Sequence, residues 1–405
     1  MDLNQNWKKN ITLFLTSQTI SIFGSMLVQY AITWHITLTT QSGTMMAISI
    51  ICGFLPTFFL SPFAGVWADR YSRKKLIILS DSMIAIATLI LAALFLMGYN
   101  AVWLLFVASA IRALGAGIQT PAVNAFLPQL VPADKLIKVN AANSSIQSAV
   151  SLAAPVLSGA LLTVSTIEAV FLIDVVTAII AVLILLLFLH APVHPKALEG
   201  QKTSYSRDMK EGFAYIVKHG FIKTLFWFMA VFFILVAPLS FLTPLQVTRS
   251  FGDDIWRLTA VQVIYSAGMF AGGIVMASWK GLRNKAHTMA IATLVIGICT
   301  FALGVIPVFW IYLVLMALIG LVLPVFNTPF LVLLQQKVER DFLGRVFGVL
   351  GMISSIIMPL VMLVYGPVAD FIQIEWLLRG GGLLIFIQGL FMLGNKVLIE
   401  AGKPS

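Results

Sequence analysis

Apolar residues in this chain come in long unbroken runs, with polar residues confined to short connections between them. Twelve such runs can be drawn, at roughly 11–35, 44–68, 76–97, 101–127, 139–164, 168–190, 222–247, 258–279, 286–306, 309–335, 346–369 and 376–398. Each is near or above the twenty or so residues that a helix needs to cross a bilayer. Hydrocarbon offers no partners to a free backbone N–H or C=O, so runs of this kind predict helices. The ten-residue alternation that marks an outer-membrane barrel is missing. The expected fold is therefore all-α and integral to a membrane, with twelve transmembrane helices.

The polar stretch 191–221 divides the runs six and six. It predicts an N-terminal half over 1–190, a linker over 191–221 and a C-terminal half over 222–405. Within the linker, Met209, Phe213, Ile216 and Val217 fall at helical spacing, which predicts a short amphipathic helix on the membrane surface. The halves resemble one another. Thr120-Pro121 and Thr328-Pro329 occupy matching places in spans 4 and 10. The segments at 131–139 and 338–346 share Val131/Val338, Asp134/Asp341, Leu136/Leu343 and Val139/Val346. Parallel six-span repeats are the internal symmetry of one large class of secondary transporters, with the substrate site near mid-membrane between the halves.

Composition agrees with a membrane chain: 60% hydrophobic residues, 10% charged and a mean hydropathy of +0.98. The net charge of +10 reports orientation. With the N-terminus in the cytoplasm, 22 of the 26 Lys and Arg residues lie in cytoplasmic segments, as the positive-inside rule requires. Both termini are then expected to be cytoplasmic, in a multi-pass protein of the cell membrane. The bases are spread over seven short segments, so no nucleic-acid surface is predicted. Cys52 and Cys299 fall inside apolar runs and read as small packing residues. No phosphate-binding loop, metal-ligand spacing or nucleophile–base set is present in the sequence. An enzyme, a cofactor and a bound metal are therefore not expected.

One connection stands apart. Gly65–Lys75 reads GVWADRYSRKK, one acid and four bases in a chain poor in charge. It resembles, at every defined position, the loop 2–3 signature of the major facilitator superfamily. Arg112 with Gly115 and Gly117 is similar to that superfamily's span-4 motif, and AAPVLSG at 153–159 to its antiporter motif, with Ala and Ser in place of glycines. The segments TPAVNAFLPQLVP (120–132) and LGRVFG (343–348) resemble the macrolide-efflux branch of bacterial drug:proton antiporters. The resemblance implies a gate: Gly65, Asp69, Arg70, Arg73 and Lys74, with Asp69 latching onto the N-terminus of span 11, where the helix dipole favours an anion. Read without the resemblance, the bases are topology anchors.

Ionisable groups inside spans are functional candidates by default. Three are expected to serve proton coupling: Arg112, Asp174 and Asp81, Asp174 being preferred over Asp81 because it faces the outer half. The superfamily's matching arginine is implicated in proton transfer. A structural role, Arg112 bonded to backbone carbonyls and the acids packed behind the cavity wall, is the plain alternative. The cavity helices of the resemblance, spans 1, 4, 7 and 10, carry no Asp or Glu. Neutral amides are the expected lining: Gln18, Gln29, Gln119, Asn124, Asn143, Gln147 and Asn327, beside aromatics that suit bulky apolar molecules. The resemblance thus implies an exporter of hydrophobic drug-like compounds, macrolides among them, exchanged for protons. Its expected partners are the substrate, protons and the lipid bilayer, in a monomer. Export of an organic anion, lipid or siderophore, with Arg112 binding the anion, is a second reading, and a non-transporting membrane assembly factor a third.

Overall fold

The computed structural model describes residues 3–189, 205–279 and 281–403. Within them run fourteen α-helices. The first six are α1 (Leu3–Thr40), α2 (Gly43–Arg70), α3 (Arg73–Leu96), α4 (Val102–Leu130), α5 (Leu136–Val164) and α6 (Ile167–Leu183), the last extended by a π-helical turn at Ile184–Phe188. A short helix, α7 (Tyr205–Lys218), follows. Then come α8 (Gly220–Phe251), α9 (Ile255–Trp279), α10 (Lys285–Leu303), α11 (Phe309–Lys337), α12 (Arg340–Phe371), α13 (Ile374–Gly394) and the terminal α14 (Lys396–Ala401). Eleven of these are long and apolar enough to cross a membrane. To them α12 adds 32 residues with apolar stretches at Phe342–Ile353 and Pro359–Phe371. The all-α membrane architecture expected from the apolar runs is the one observed. The front of the linker, 191–204, lies outside the described residues.

The chain forms two compact units, Met1–Ile36 with Ile48–Gln201, and Thr37–Ala47 with Lys202–Ser405. In the first unit two apolar clusters tie the helices together. One centres on Leu27, Leu91, Phe95 and Phe171, with Phe95 edge-on to Phe171 at 5.7 Å between ring centroids. The other centres on Phe14, Ile77, Phe126 and Leu185, with Phe14 edge-on to Phe126 at 5.3 Å. In lipid such contacts hold helices together by close packing, because apolar surface gains nothing by leaving one hydrocarbon for another.

In the second unit small residues set the spacing. A Cβ on Gly268 or Gly272 of α9 would collide with the backbone of Ala317 or Leu321 on α11, and one on Gly320 with Tyr265 in return. Only glycine permits this approach. The surface side chains Leu89, Ile179, Val314 and Leu390 are exposed and apolar, as lipid-facing positions should be.

The predicted linker helix is present as α7, and it packs on α12. Tyr215 stacks on Phe342 at 4.4 Å, its hydroxyl accepts from the Glu339 N–H at 3.2 Å, and Glu211 pairs with Arg345 at 3.3 Å. Gly212 lies against the Arg345 backbone so closely that a Cβ would sit 3.0 Å from its carbonyl oxygen. Ile216 is buried, while Phe213 and Val217 are exposed. The Met209 side chain lies outside the described residues.

Candidate functional site

Buried charge in the first unit converges on one place. Arg112 of α4 and Asp174 of α6 form an ion pair at 2.5 Å, with side chains 8% and 1% exposed. Thr88 of α3 bridges them: its hydroxyl donates to Asp174 Oδ2 at 3.1 Å and accepts from Arg112 Nη1. Arg112 Nη2 also donates to the Ser25 carbonyl at 3.1 Å, and the Ser25 hydroxyl is 3.5 Å from Asp174 Oδ1. A charge removed from water needs both a counter-charge and hydrogen bonds to persist, and this pair has both.

Asp81 of α3, 1% exposed, is held differently. Its Oδ1 accepts from Ser21 of α1 at 2.7 Å and from Gln119 of α4 at 2.6 Å. Its Oδ2 is buried without a hydrogen-bond partner, and so is Nε2 of Gln18, one turn before Ser21 on α1. Contacts from α4 reach both acids, Asp174 through Arg112 and Asp81 through Gln119.

Close packing makes these contacts possible. At Gly115 a Cβ would lie 2.5 Å from the Ile84 side chain, so α4 can lie hard against α3. At Gly24 a Cβ would overlap the Thr177 hydroxyl and come within 2.9 Å of Asp174, so α1 can lie against α6. Beside the cluster is a cavity of about 240 Å³, lined by Ser25, Met26, Gln29, Ser109, Arg112, Gln119 and apolar neighbours. Of the expected amides, Gln29 and Gln119 line it. Asn124, Gln147 and Asn327 are exposed and Asn143 is half-buried, none of them at this cavity. The aromatics Phe232 and Phe326 stack at 4.7 Å and are buried, which makes them packing residues in the second unit.

Sequence reasoning missed Ser21, Ser25 and Thr88. A signal was available: Gln18, Ser21, Ser25 and Gln29 recur at spacings of three and four along α1, and Asp81 and Thr88 lie seven apart on α3. Both spacings place polar groups on one helix face.

The basic connection is a brace. Arg73 donates to the Ala68 carbonyl at 2.9 Å, one of the unpaired carbonyls at the end of α2, and to Ala125 of α4 at 2.7 Å. Lys74 donates to the Leu189 carbonyl at 2.8 Å, where α6 ends. Arg73 and Lys74 thus do more than anchor topology. Gly65, Asp69 and Arg70 lie outside the residues whose side chains are described, so the Asp69 latch stays an expectation.

Bundled apolar helices around a paired, buried charge cluster make this a polytopic membrane protein. The family model of the Major Facilitator Superfamily matches residues 13–362, and the chain belongs to that family. Its members are transporters, not enzymes. The chain is 28% identical over 400 residues to macrolide efflux protein A of Streptococcus pyogenes, covering 98% of each. Against macrolide efflux protein A of Enterococcus faecalis it is 29% identical over 321 residues, 78% of this chain and 99% of that one. In fold it is similar to the crystal structure of the nucleoside transporter NupG, with a TM-score of 0.70 at 14% identity over 96% of this chain and 99% of that chain.

Proposed function

We propose that the protein exports bulky, largely apolar compounds, macrolides foremost, in exchange for protons, and that Asp81 is the proton carrier. The carrying observation is the contrast between the two acids. Asp174 is engaged by Arg112, Thr88 and Ser25, whereas Asp81 keeps one buried oxygen with no partner. An ionised carboxylate left in that state is costly, and one proton removes the charge. With all three groups ionised the cluster holds one positive and two negative charges; a single proton brings it to zero. This favours Asp81 over Asp174, and one proton per cycle.

Gln119 links carrier to cavity, since it lines the cavity and donates to Asp81. A compound that takes the Gln119 amide changes the bonding of the proton site, which is the coupling an exchanger needs. The cavity is smaller than the roughly 300–1,000 Å³ of drug-sized pockets, so it receives part of such a molecule. The second reading, an organic anion held by Arg112, is disfavoured because that guanidinium is already committed to Asp174, Thr88 and the Ser25 carbonyl. Similarity to macrolide efflux proteins along the whole chain supports the substrate class.

The test is uptake of a radiolabelled macrolide into proteoliposomes with an imposed pH gradient. Asp81→Asn should abolish gradient-driven accumulation and retain counterflow without a gradient. Accumulation by Asp81→Asn at the parent rate would overturn the assignment.

A further inference from the structure

The turn between α1 and α2, Thr37–Ala47, belongs to the second compact unit, while the rest of both helices belongs to the first. Asp370, at the end of α12, holds it there. The carboxylate accepts from the Gly43 N–H at 2.6 Å, the Thr44 N–H at 3.0 Å, the Thr44 hydroxyl at 2.6 Å and the Ser42 hydroxyl at 2.9 Å. These are the first free N–H groups of α2, so Asp370 caps that helix from another one. Arg249 of α8 closes the arrangement. It donates to Asp370 Oδ1 at 3.2 Å, to the Ala369 carbonyl at 2.6 Å and to the Gln41 carbonyl at 2.5 Å. Gln41 has a φ of 45°, a left-handed conformation that a non-glycine residue holds only when its surroundings impose it. Beneath, Gly43 and Gly366 touch backbone to backbone, and a Cβ on Gly366 would lie 2.5 Å from Ala47 Cβ.

The sequence around Asp370 repeats that around Asp69. Gly366-Pro-Val-Ala-Asp370 and Gly65-Val-Trp-Ala-Asp69 share Gly-x-x-Ala-Asp, each at the C-terminal end of a long helix. In both, glycine and acid are four apart in sequence.

We infer that Asp370 is a positioning residue of the transport cycle: a releasable clasp that holds the α1–α2 turn to the second unit at the end opposite the basic connection, and that must open once per cycle. Its strength suits release. Asp370 and Arg249 are 24% and 31% exposed, and a cavity of about 450 Å³ beside them gives water access to both. Partly solvated pairs exchange readily with water, unlike the buried Arg112–Asp174 pair. The labelling readout needs only that the chain is a carrier and is independent of Asp81, of protons and of the compound moved; the counterflow readout rests on the proposed macrolide substrate, and a parent without macrolide counterflow fails that reading and not the clasp.

The test is maleimide labelling in native membranes, with cysteine at one of two buried positions. Ala47→Cys reports the clasp and Ala68→Cys the basic end of α2; both alanines are 2% exposed. Asp370→Asn should raise Ala47→Cys labelling about tenfold, the scale of a helix-end anion in a partly buried setting, and leave Ala68→Cys labelling no higher. Macrolide counterflow should slow in the same variant, and Asp370→Glu, which restores the anion, should recover part of both. Should Asp370→Asn not reach the membrane, Thr44→Val, which removes one donor, gives the same readout at smaller amplitude. Unchanged Ala47→Cys labelling overturns the clasp. An equal rise at both positions means general loosening and overturns it too, as does raised labelling with counterflow at the parent rate.

Discussion

The Arg112–Asp174 pair makes a quantitative demand on stability. Both side chains are almost wholly buried, and each is the other's counter-charge. Removing one partner of such a pair leaves an uncompensated charge, at a cost of about 3–5 kcal/mol. Arg112→Gln and Asp174→Asn should each lose that amount, which for a six-helix unit corresponds to a fall of roughly 6–20 °C in melting temperature. The double variant removes both charges and leaves amides that can still bond Thr88, so its loss should be about 1–2 kcal/mol, near that of a pair of ordinary hydrogen bonds. Melting of the purified protein in detergent, for the parent and all three variants, closes the cycle. Losses below about 1 kcal/mol in the singles, or a double that equals their sum, would refute the pairing argument.

Two further outcomes are expected. Lys74→Met uncaps the end of α6, so amide exchange at 184–189 should rise with a stability loss of about 0.3–1 kcal/mol and transport largely retained; unchanged exchange would return Lys74 to the role of a topology anchor. Gly212→Leu should free α7 from α12, because the side chain meets the Arg345 backbone, and should raise trypsin cleavage after Lys210 and Lys218; cleavage at the parent rate would mean that α7 is held by other contacts.

Most of the fold was legible because bilayer thickness is a hard constraint. Any apolar run of the right length must be helical, so the runs show through without any knowledge of packing. Helix ends were less legible. The run 346–369 understates α12, which starts at Arg340, because helices extend past the apolar region into water. The charged members of the site were legible too, since Arg112, Asp81 and Asp174 are the charged residues more than four residues inside an apolar run, while Glu168, Lys223, Arg379 and Lys396 lie near run ends. Their pairing was not. Span order gives no rule by which Asp174 of α6, rather than Asp81 of α3, should face Arg112. Thr88 of α3 bonds both partners of the pair, while Gly115 sets α4 against α3 and Gly24 sets α1 against α6. The Asp370 clasp was harder still, since four of its five donors lie more than 320 residues away and two of those are backbone N–H groups, which carry no residue-type signal.

The two acid sites differ in a way that assigns them different work. Asp370 is met by four donors on α2 and its preceding turn and by a guanidinium, all on the donating side, so it fits a fixed charge whose contacts form and break as a set. Asp81 is met by two donors on one oxygen and none on the other, so it fits a group whose charge comes and goes while its neighbours stay. A proton-coupled exchanger, as proposed for this chain, needs both kinds. A proton site that never changed charge would store no energy from a gradient, and a clasp that changed charge would open on acid alone, uncoupled from substrate. Replacing each acid by its amide separates them: Asp81→Asn should alter the dependence of transport on the gradient, and Asp370→Asn the rate at which one end of the carrier opens.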